Sequence, residues 1–233
     1  MVLIIKHIDI EGPGTFGDFL IQKGEPFRVI ELGAGEKLPS SFSGVKAVVV
    51  LGGPMNVYEE DKYPFLKEEN AFIQRVLDAE IPYFGICLGS QLLAKAAGSR
   101  VVRSPVKEIG WYNVRLTADG KTDPLFKGFR EDEEIYHWHG DMFEIPQNGA
   151  LLATANGCPH QAFRVGKNAY GIQFHVEVTD KSIKEWCDEY SAVDLPGRKE
   201  HCDAMLEGYT KNKERFNRQA FRLYDNFMRI CDM

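Results

Sequence analysis

Three residues of this 233-residue chain have the side chains and the surroundings for covalent catalysis, and the first is Cys87. It stands in Gly85-Ile86-Cys87-Leu88-Gly89, a G-x-C-x-G sequence placed where an apolar run gives way to a helical pattern. The same spacing around serine makes the nucleophile elbow, a tight strand-to-helix turn that lifts the reactive atom above a sheet edge. Glycines two residues to either side permit that turn, and the helix that follows aims its free N–H groups and positive dipole end at the thiol. An ordinary cysteine titrates near pH ~8.5; a helix N-terminus or an adjacent imidazolium brings this to roughly 3.5–7.5, so thiolate becomes abundant at neutral pH. A buried structural cysteine would give no reason for the two glycines.

A base for this nucleophile is offered by GIQFHVEV (171–178), where His175 and Glu177 lie two apart at the end of a predicted strand. Residues two apart on a strand share a face. Glu177 is thus placed to hold one imidazole nitrogen while the other faces Cys87, the logic of a Cys–His–Glu triad. Acyl transfer also needs backbone N–H groups aimed at the developing oxyanion, each worth ~2.7–4 kcal/mol of transition-state stabilisation. The glycine turn in LGGPMNVY (51–58) ends a strand expected beside that of Cys87, at the carboxyl edge where open α/β sheets place their sites.

The elements that must hold these groups read as an open, mostly parallel, doubly wound α/β sheet. VLIIKHI (2–8), FRVIEL (27–32), VKAVVVLGG (45–53) and IPYFGIC (81–87) are predicted strands, the Val run being suited to burial on both faces. Between them come a helix opened by Thr15 and Asp18 and closed by Gly24, and a second over 64–80 with Phe65, Phe72, Val76 and Ala79 at helical spacing. SQLLAKAAG gives a third helix that stops at Gly98. After residue 100 the chain turns β-rich and partly antiparallel, with EIGWYNVRLT, EEIYHWH, ALLATAN, HQAFRVG and AYGIQFHVEV. The last fifty residues are predicted helical over 180–190, 199–208 and 210–231. The final helix carries an apolar stripe of Phe216, Ala220, Leu223, Phe227 and Ile230 that must bury against this domain or a second copy. One domain over 1–233 is expected, its core about 1–190 and its helical extension 191–233.

With 28 basic against 34 acidic side chains the net charge is -6, which opposes nucleic-acid or anionic-membrane binding and favours a small-molecule or protein partner. The N-terminal apolar run is too short, and too interrupted by Lys6 and Asp9, for a secretory core, and nothing approaches a spanning segment; the expectation is a cytoplasmic protein. Five scattered cysteines without a C-x-x-C pair are expected to be reduced. His137 and His139 in HWHGD have a spacing that puts two metal ligands on one strand face, but no third ligand is apparent at useful spacing and no metal is expected. Gly33-Ala34-Gly35 is followed by KLPSSFSG rather than a helix, so it is no dinucleotide loop, and no P-loop is found.

Taken together, GGP after the third strand, GICLGSQLLA at the elbow and QFHVE near residue 175 resemble the triad-type class I glutamine amidotransferase domain, over roughly residues 45–180. The resemblance implies Cys87 as nucleophile, His175 as base and acid, Glu177 as its orienting partner, and oxyanion donors from the backbone N–H groups of Gly53 and Leu88. It places Gln91 near a bound glutamine and gives His139, Gly140 and Asp141 contacts to the amino-acid end of the substrate. One departure stands out: the family usually has Pro between the His and the Glu, where this chain has Val176.

The implied reaction is hydrolysis of the glutamine γ-amide through a cysteinyl γ-glutamyl thioester, with no metal or organic cofactor. The same triad serves γ-glutamyl peptidases acting on γ-glutamyl peptides, and the residues alone do not separate the two. A synthetase partner for the ammonia, a non-catalytic glutamine-binding subunit and a homo-oligomer are left open.

Overall fold

The computed structural model describes residues 1–194 and 198–232. Its first half alternates as the periodicity predicts, through β1 (Val2–Lys6), α1 (Gly14–Lys23), β2 (Phe27–Glu31), β3 (Ala47–Val50), α2 (Phe65–Asp78), β4 (Tyr83–Ile86) and α3 (Leu88–Ala96). The second half adds β5 (Val101–Leu116), α4 (Ala118–Thr122), β6 (Asp132–Phe143), β7 (Gly149–Thr154), β8 (Ala162–Val165), β9 (Ala169–Ile172), α5 (Asp180–Asp194) and α6 (Arg198–Ile230). All these strands join one sheet in the order β2-β1-β3-β4-β9-β8-β7-β5-β6. Pairings from β2 to β9 are parallel, and those from β9 to β6 antiparallel.

The apolar runs are unbroken because the parallel strands are buried on both faces. Val2, Ile4 and Val49 point into a core closed by α1, α5 and α6, while Leu3, Ile5, Val48 and Val50 point into a second core under α2 and α3. The α2 face that packs on the sheet is Leu66, Glu69, Phe72, Ile73 and Val76, at helical spacing and with a carboxylate among its apolar residues. The stripe on α6 docks on its own sheet: the Phe227 ring lies 5.2 Å from that of Phe84, and Tyr224 packs edge-on at 4.9 Å from Phe16.

Several expectations are corrected. The helices expected at 199–208 and 210–231 are one continuous α6. Gly208 does not break it but lets Trp111 approach, since a Cβ there would sit 2.5 Å from the indole nitrogen. Thr15 does not cap α1. Its hydroxyl instead meets the Val176 carbonyl at 3.2 Å and the Tyr224 hydroxyl at 3.0 Å, and its N–H donates to the Glu177 carbonyl at 2.9 Å, tying α1 to the His175 segment. Glycine is required at Gly14, where φ is +47° and a Cβ would collide with that same carbonyl. β5 starts at Val101 rather than Glu108, because an irregularity between Arg103 and Glu108 hides the pairing from a strict alternation. Cys187 on α5 and Cys202 on α6 form a disulfide with Cα atoms 6.0 Å apart, so these two cysteines are not reduced; their separation of 15 residues gave no local signal. Among the described residues no helix is long and apolar enough to cross a membrane.

Candidate active site

The β4–α3 junction is an elbow with Cys87 at its apex. The glycines around it act through space rather than through their own dihedrals: it is Cys87 that takes the positive φ, +50° with ψ −106°. A Cβ on Gly85 would strike the Gly89 carbonyl, and one on Gly89 would strike the Val50 carbonyl, so the turn closes only with glycine at both positions. The Cys87 N–H donates to the Ile172 carbonyl on β9 at 2.8 Å, and its own carbonyl accepts from the N–H groups of Ser90 and Gln91. A residue held so firmly at a φ that costs energy is a candidate functional position. At the start of α3, the N–H groups of Leu88 and Gly89 have no intrahelical acceptor.

His175 is reached differently from the way the sequence implies. β9 ends at Ile172, and 173–178 leave the sheet, with His175 returning through a single bridge in which its N–H donates to the Tyr136 carbonyl at 2.8 Å. The pairing with Glu177 survives that change: Nδ1 lies 2.6 Å from Glu177 Oε1, and Oε2 accepts from the Val176 N–H at 2.9 Å. Nε2 is buried beside the Cys87 thiol and, among the described residues, has no hydrogen-bond partner within 3.5 Å, or 4.0 Å to sulfur. Burial alone would lower the pKa of this ring, but the Glu177 carboxylate and the neighbouring Cys87 thiol together raise it well above the ordinary histidine value. The Trp186 ring stands edge-on at 4.8 Å and closes one side.

A cavity of about 400 Å³ opens above these groups. It is lined by Cys87, His175, Gly53, Leu88, Gln91, His139, Gly140 and Asp141, so eight of the nine residues singled out from the sequence meet in one space, and the ninth, Glu177, stands behind His175. Gln91 and His139 are not free donors into that space. The Gln91 amide donates to the Asp141 carbonyl and to Gln173 Oε1, both at 3.2 Å, and His139 Nδ1 donates to the same carbonyl at 3.0 Å. Tyr58 donates to the Asp141 carboxylate at 2.9 Å. Gln91 and His139 therefore shape the wall, and Asp141 presents the charge.

The glycine turn after β3 has a support that the sequence analysis missed. His7, at the end of β1, donates from Nδ1 to the Gly52 carbonyl at 2.7 Å, and its Nε2 lies 3.1 Å from both Glu69 oxygens. Both side chains are fully buried, and the Glu69 charge outweighs burial to raise the His7 pKa. In a trans peptide the N–H points opposite to the carbonyl. Gripping the Gly52 carbonyl from the His7 side thus points the Gly53 N–H away from His7. The missed signal was a carboxylate, Glu69, between Leu66 and Phe72 on an apolar helix face.

The structure also supplies a third member to the His137 and His139 pair. Glu108 joins them, with candidate ligand atoms within 4.8 Å of one another. Glu108 Oε2 already accepts from His139 Nε2 at 2.9 Å and from the Gln161 amide at 2.7 Å. Burial would raise the Glu108 pKa, yet the two histidines hold it at about 2, while burial pushes His137 down to about 4. A carboxylate oxygen saturated by donors is a hydrogen-bond hub under His139, not a prepared metal ligand.

The family model for class I glutamine amidotransferase matches residues 30–186 of this chain. The glutamine amidotransferase-like protein YfeJ of Salmonella typhimurium is 31% identical over 229 residues, covering 96% of this chain and 95% of its own. The GMP synthase of Bacillus velezensis is 33% identical over 135 residues, or 57% of this chain, which spans only 24% of that protein. Among solved structures, a glutamine amidotransferase from Thermotoga maritima superposes with a TM-score of 0.89 at 36% identity, covering 100% of this chain and 98% of the other. One from Methylobacillus flagellatus gives 0.88 at 29% identity, covering 98% and 94%.

Proposed function

The chain belongs to the class I glutamine amidotransferase family, and from that premise we propose that it hydrolyses the γ-amide of glutamine through a γ-glutamyl thioester on Cys87. The observation that carries this reading is the line from Glu177 through His175 to Cys87: a 2.6 Å carboxylate contact on one ring nitrogen, with the other buried beside the thiol. The Cys87 thiolate attacks the γ-carbonyl carbon, and the oxygen that becomes negative is held by the N–H groups of Gly53 and Leu88. His175 Nε2 gives its proton to the departing nitrogen as the C–N bond breaks, leaving the thioester. Water, deprotonated by the same nitrogen, then attacks the thioester and releases glutamate.

A synthetase partner would receive the ammonia, as the match to one part of a GMP synthase supports. The test is glutamate release from L-glutamine by the purified chain, with Cys87→Ala as the blank and glutathione as a parallel substrate. Glutamate from glutamine, abolished in Cys87→Ala, is expected. Release no greater than the blank refutes the reading, and cleavage of glutathione well above that of glutamine replaces it with a γ-glutamyl peptidase.

A further inference from the structure

The amide-hydrolase reading, on which this inference rests, leaves one end of the cavity without a task. The leaving nitrogen must depart on the His175 side, since His175 protonates it, and on that side the wall is Glu11, Trp138, Trp186 and Tyr190. Glu11, just beyond β1, is 6% exposed. Its Oε1 accepts from the Tyr190 hydroxyl at 2.9 Å; among the described residues Oε2 accepts no hydrogen bond. A methyl group on Gly52 would lie 2.6 Å from Glu11 Oε2, 3.1 Å from His175 Cε1 and 3.8 Å from Cys87 Cβ, so carboxylate, base and nucleophile surround one glycine. The absence of a side chain at Gly52 keeps Oε2 uncovered.

Glu11 has no role in orienting the base, because Glu177 already holds Nδ1. Burying a second carboxylate beside the first is costly unless something satisfies it, and burial together with the Glu177 charge does raise its pKa against the pull of His175 and Tyr190. Around it the rings are edge-to-face, Trp138 to Trp186 at 6.1 Å and Trp138 to Tyr190 at 6.1 Å, a wall suited to an alkyl chain that ends in a cation. The basic residues of the cavity, Arg103 and Lys107, belong to β5, where Arg103 stands opposite Asp141 in the register with β6.

We propose that Glu11, Tyr190 and the two tryptophans form a subsite for a cationic leaving group, so that the substrates beyond glutamine are γ-glutamyl amides of diamines rather than γ-glutamyl peptides. A peptide leaving group ends in a carboxylate, next to the scissile nitrogen in a γ-glutamyl dipeptide and one residue further in glutathione, which Glu11 repels; a diamine carries a second, protonated nitrogen, which Glu11 and the rings accept. The reaction balances as a hydrolysis: the γ-glutamyl C–N bond breaks, water supplies the oxygen of glutamate, and the diamine leaves with the proton from His175.

The test separates binding from turnover. Calorimetric titration of Cys87→Ala with γ-glutamyl-1,4-diaminobutane and with the neutral γ-glutamyl-pentylamide is expected to show the diamine amide at least about tenfold tighter, the size of a charge-assisted hydrogen bond in a desolvated site. In Cys87→Ala/Glu11→Gln, which keeps an acceptor for Tyr190, the ratio should fall to within about twofold of unity, and Glu11→Asp in the same background should restore part of it. Equal binding, binding of neither amide, or a preference untouched by Glu11→Gln overturns the proposal. Wild-type turnover judges the hydrolase reading independently: binding preference without cleavage of any substrate would sink that reading and leave the subsite, whereas equal cleavage of both amides without binding preference would do the reverse.

Discussion

Replacing Glu177 by glutamine changes one atom and, by the geometry of this site, should reverse the protonation of His175. The Val176 N–H points at Glu177 Oε2 from 2.9 Å, so a glutamine there must turn its carbonyl oxygen to Val176 and its NH₂ to His175 Nδ1, now occupied at 2.6 Å. Faced with a donor, Nδ1 must become the acceptor, and the ring proton moves to Nε2, the atom that has to receive a proton from Cys87 or water. An imidazolium, with both nitrogens protonated, clashes with the amide as well. The same tautomer error in a serine triad costs about 10⁴ in kcat, and a loss of about 10³–10⁴ with a smaller change in KM is expected here.

Two assays apply: steady-state glutamate release, and the rate of Cys87 alkylation by iodoacetamide at neutral pH, which should fall about tenfold or more once no imidazolium stands beside the thiol. A histidine whose pKa is raised on folding contributes stability below its unfolded value of about 6.5, and that contribution is lost as pH rises through the raised value. Glu177→Gln should therefore lower Tm at acid and neutral pH and leave the alkaline limb less changed. A variant within tenfold of wild-type kcat, or with unaltered alkylation, would refute the tautomer argument.

Three further outcomes follow from the same geometry. Gly89→Ala drives a Cβ into the Val50 carbonyl, and with overpacking worth about 1–3 kcal/mol and about 2–4 °C per kcal/mol in a chain of this size, Tm by calorimetry should drop by several degrees and activity with it. His7→Gln, or Glu69→Gln, loosens the grip on the Gly52 carbonyl; steady-state kinetics should show kcat falling about tenfold or more, with KM within about threefold, if, as proposed, the Gly53 N–H serves the transition state more than bound glutamine. His137, held down to about 4 by burial, contributes stability above pH ~6.5 that is lost as pH falls toward 4, so His137→Phe should flatten the acid decline of Tm across that interval.

What could be read from the sequence was set by the range of the physics behind each signal. The alternating β and α pattern, the buried Val run and the elbow glycines are local consequences of periodicity and close approach, and Cys87 as candidate nucleophile follows from two glycines and a cysteine. His175 was found for a reason that only partly holds: the strand expected to carry it stops at Ile172, and the contact with Glu177 is made by a segment that has left the sheet. Glu11, His7 and Glu69 were missed because each depends on a partner far along the chain, Tyr190 for Glu11 and residues 45 and 62 positions away for His7. Their one local trace is polarity where the pattern asks for an apolar residue. The α5–α6 disulfide and the length of α6 are likewise products of packing against Trp111 and the sheet rather than of local preference.

Val176 gives the departure from the family pattern a physical meaning. A proline between the histidine and the glutamate has no N–H, so it cannot donate to the carboxylate that orients the base. Here Val176 does, and Thr15 accompanies it by binding the carbonyls of Val176 and Glu177 through its hydroxyl and its N–H. The Glu177 carboxylate is thus fixed at both oxygens, Oε1 by His175 and Oε2 by the backbone, while α1 holds the peptide beneath it. That anchoring keeps Glu177 committed to Nδ1 although a second carboxylate, Glu11, lies near the same ring across Gly52. Without it two acidic groups would compete for one imidazolium; with it, in the proposed reaction, Glu177 orients the base and Glu11 is left to face the leaving amine.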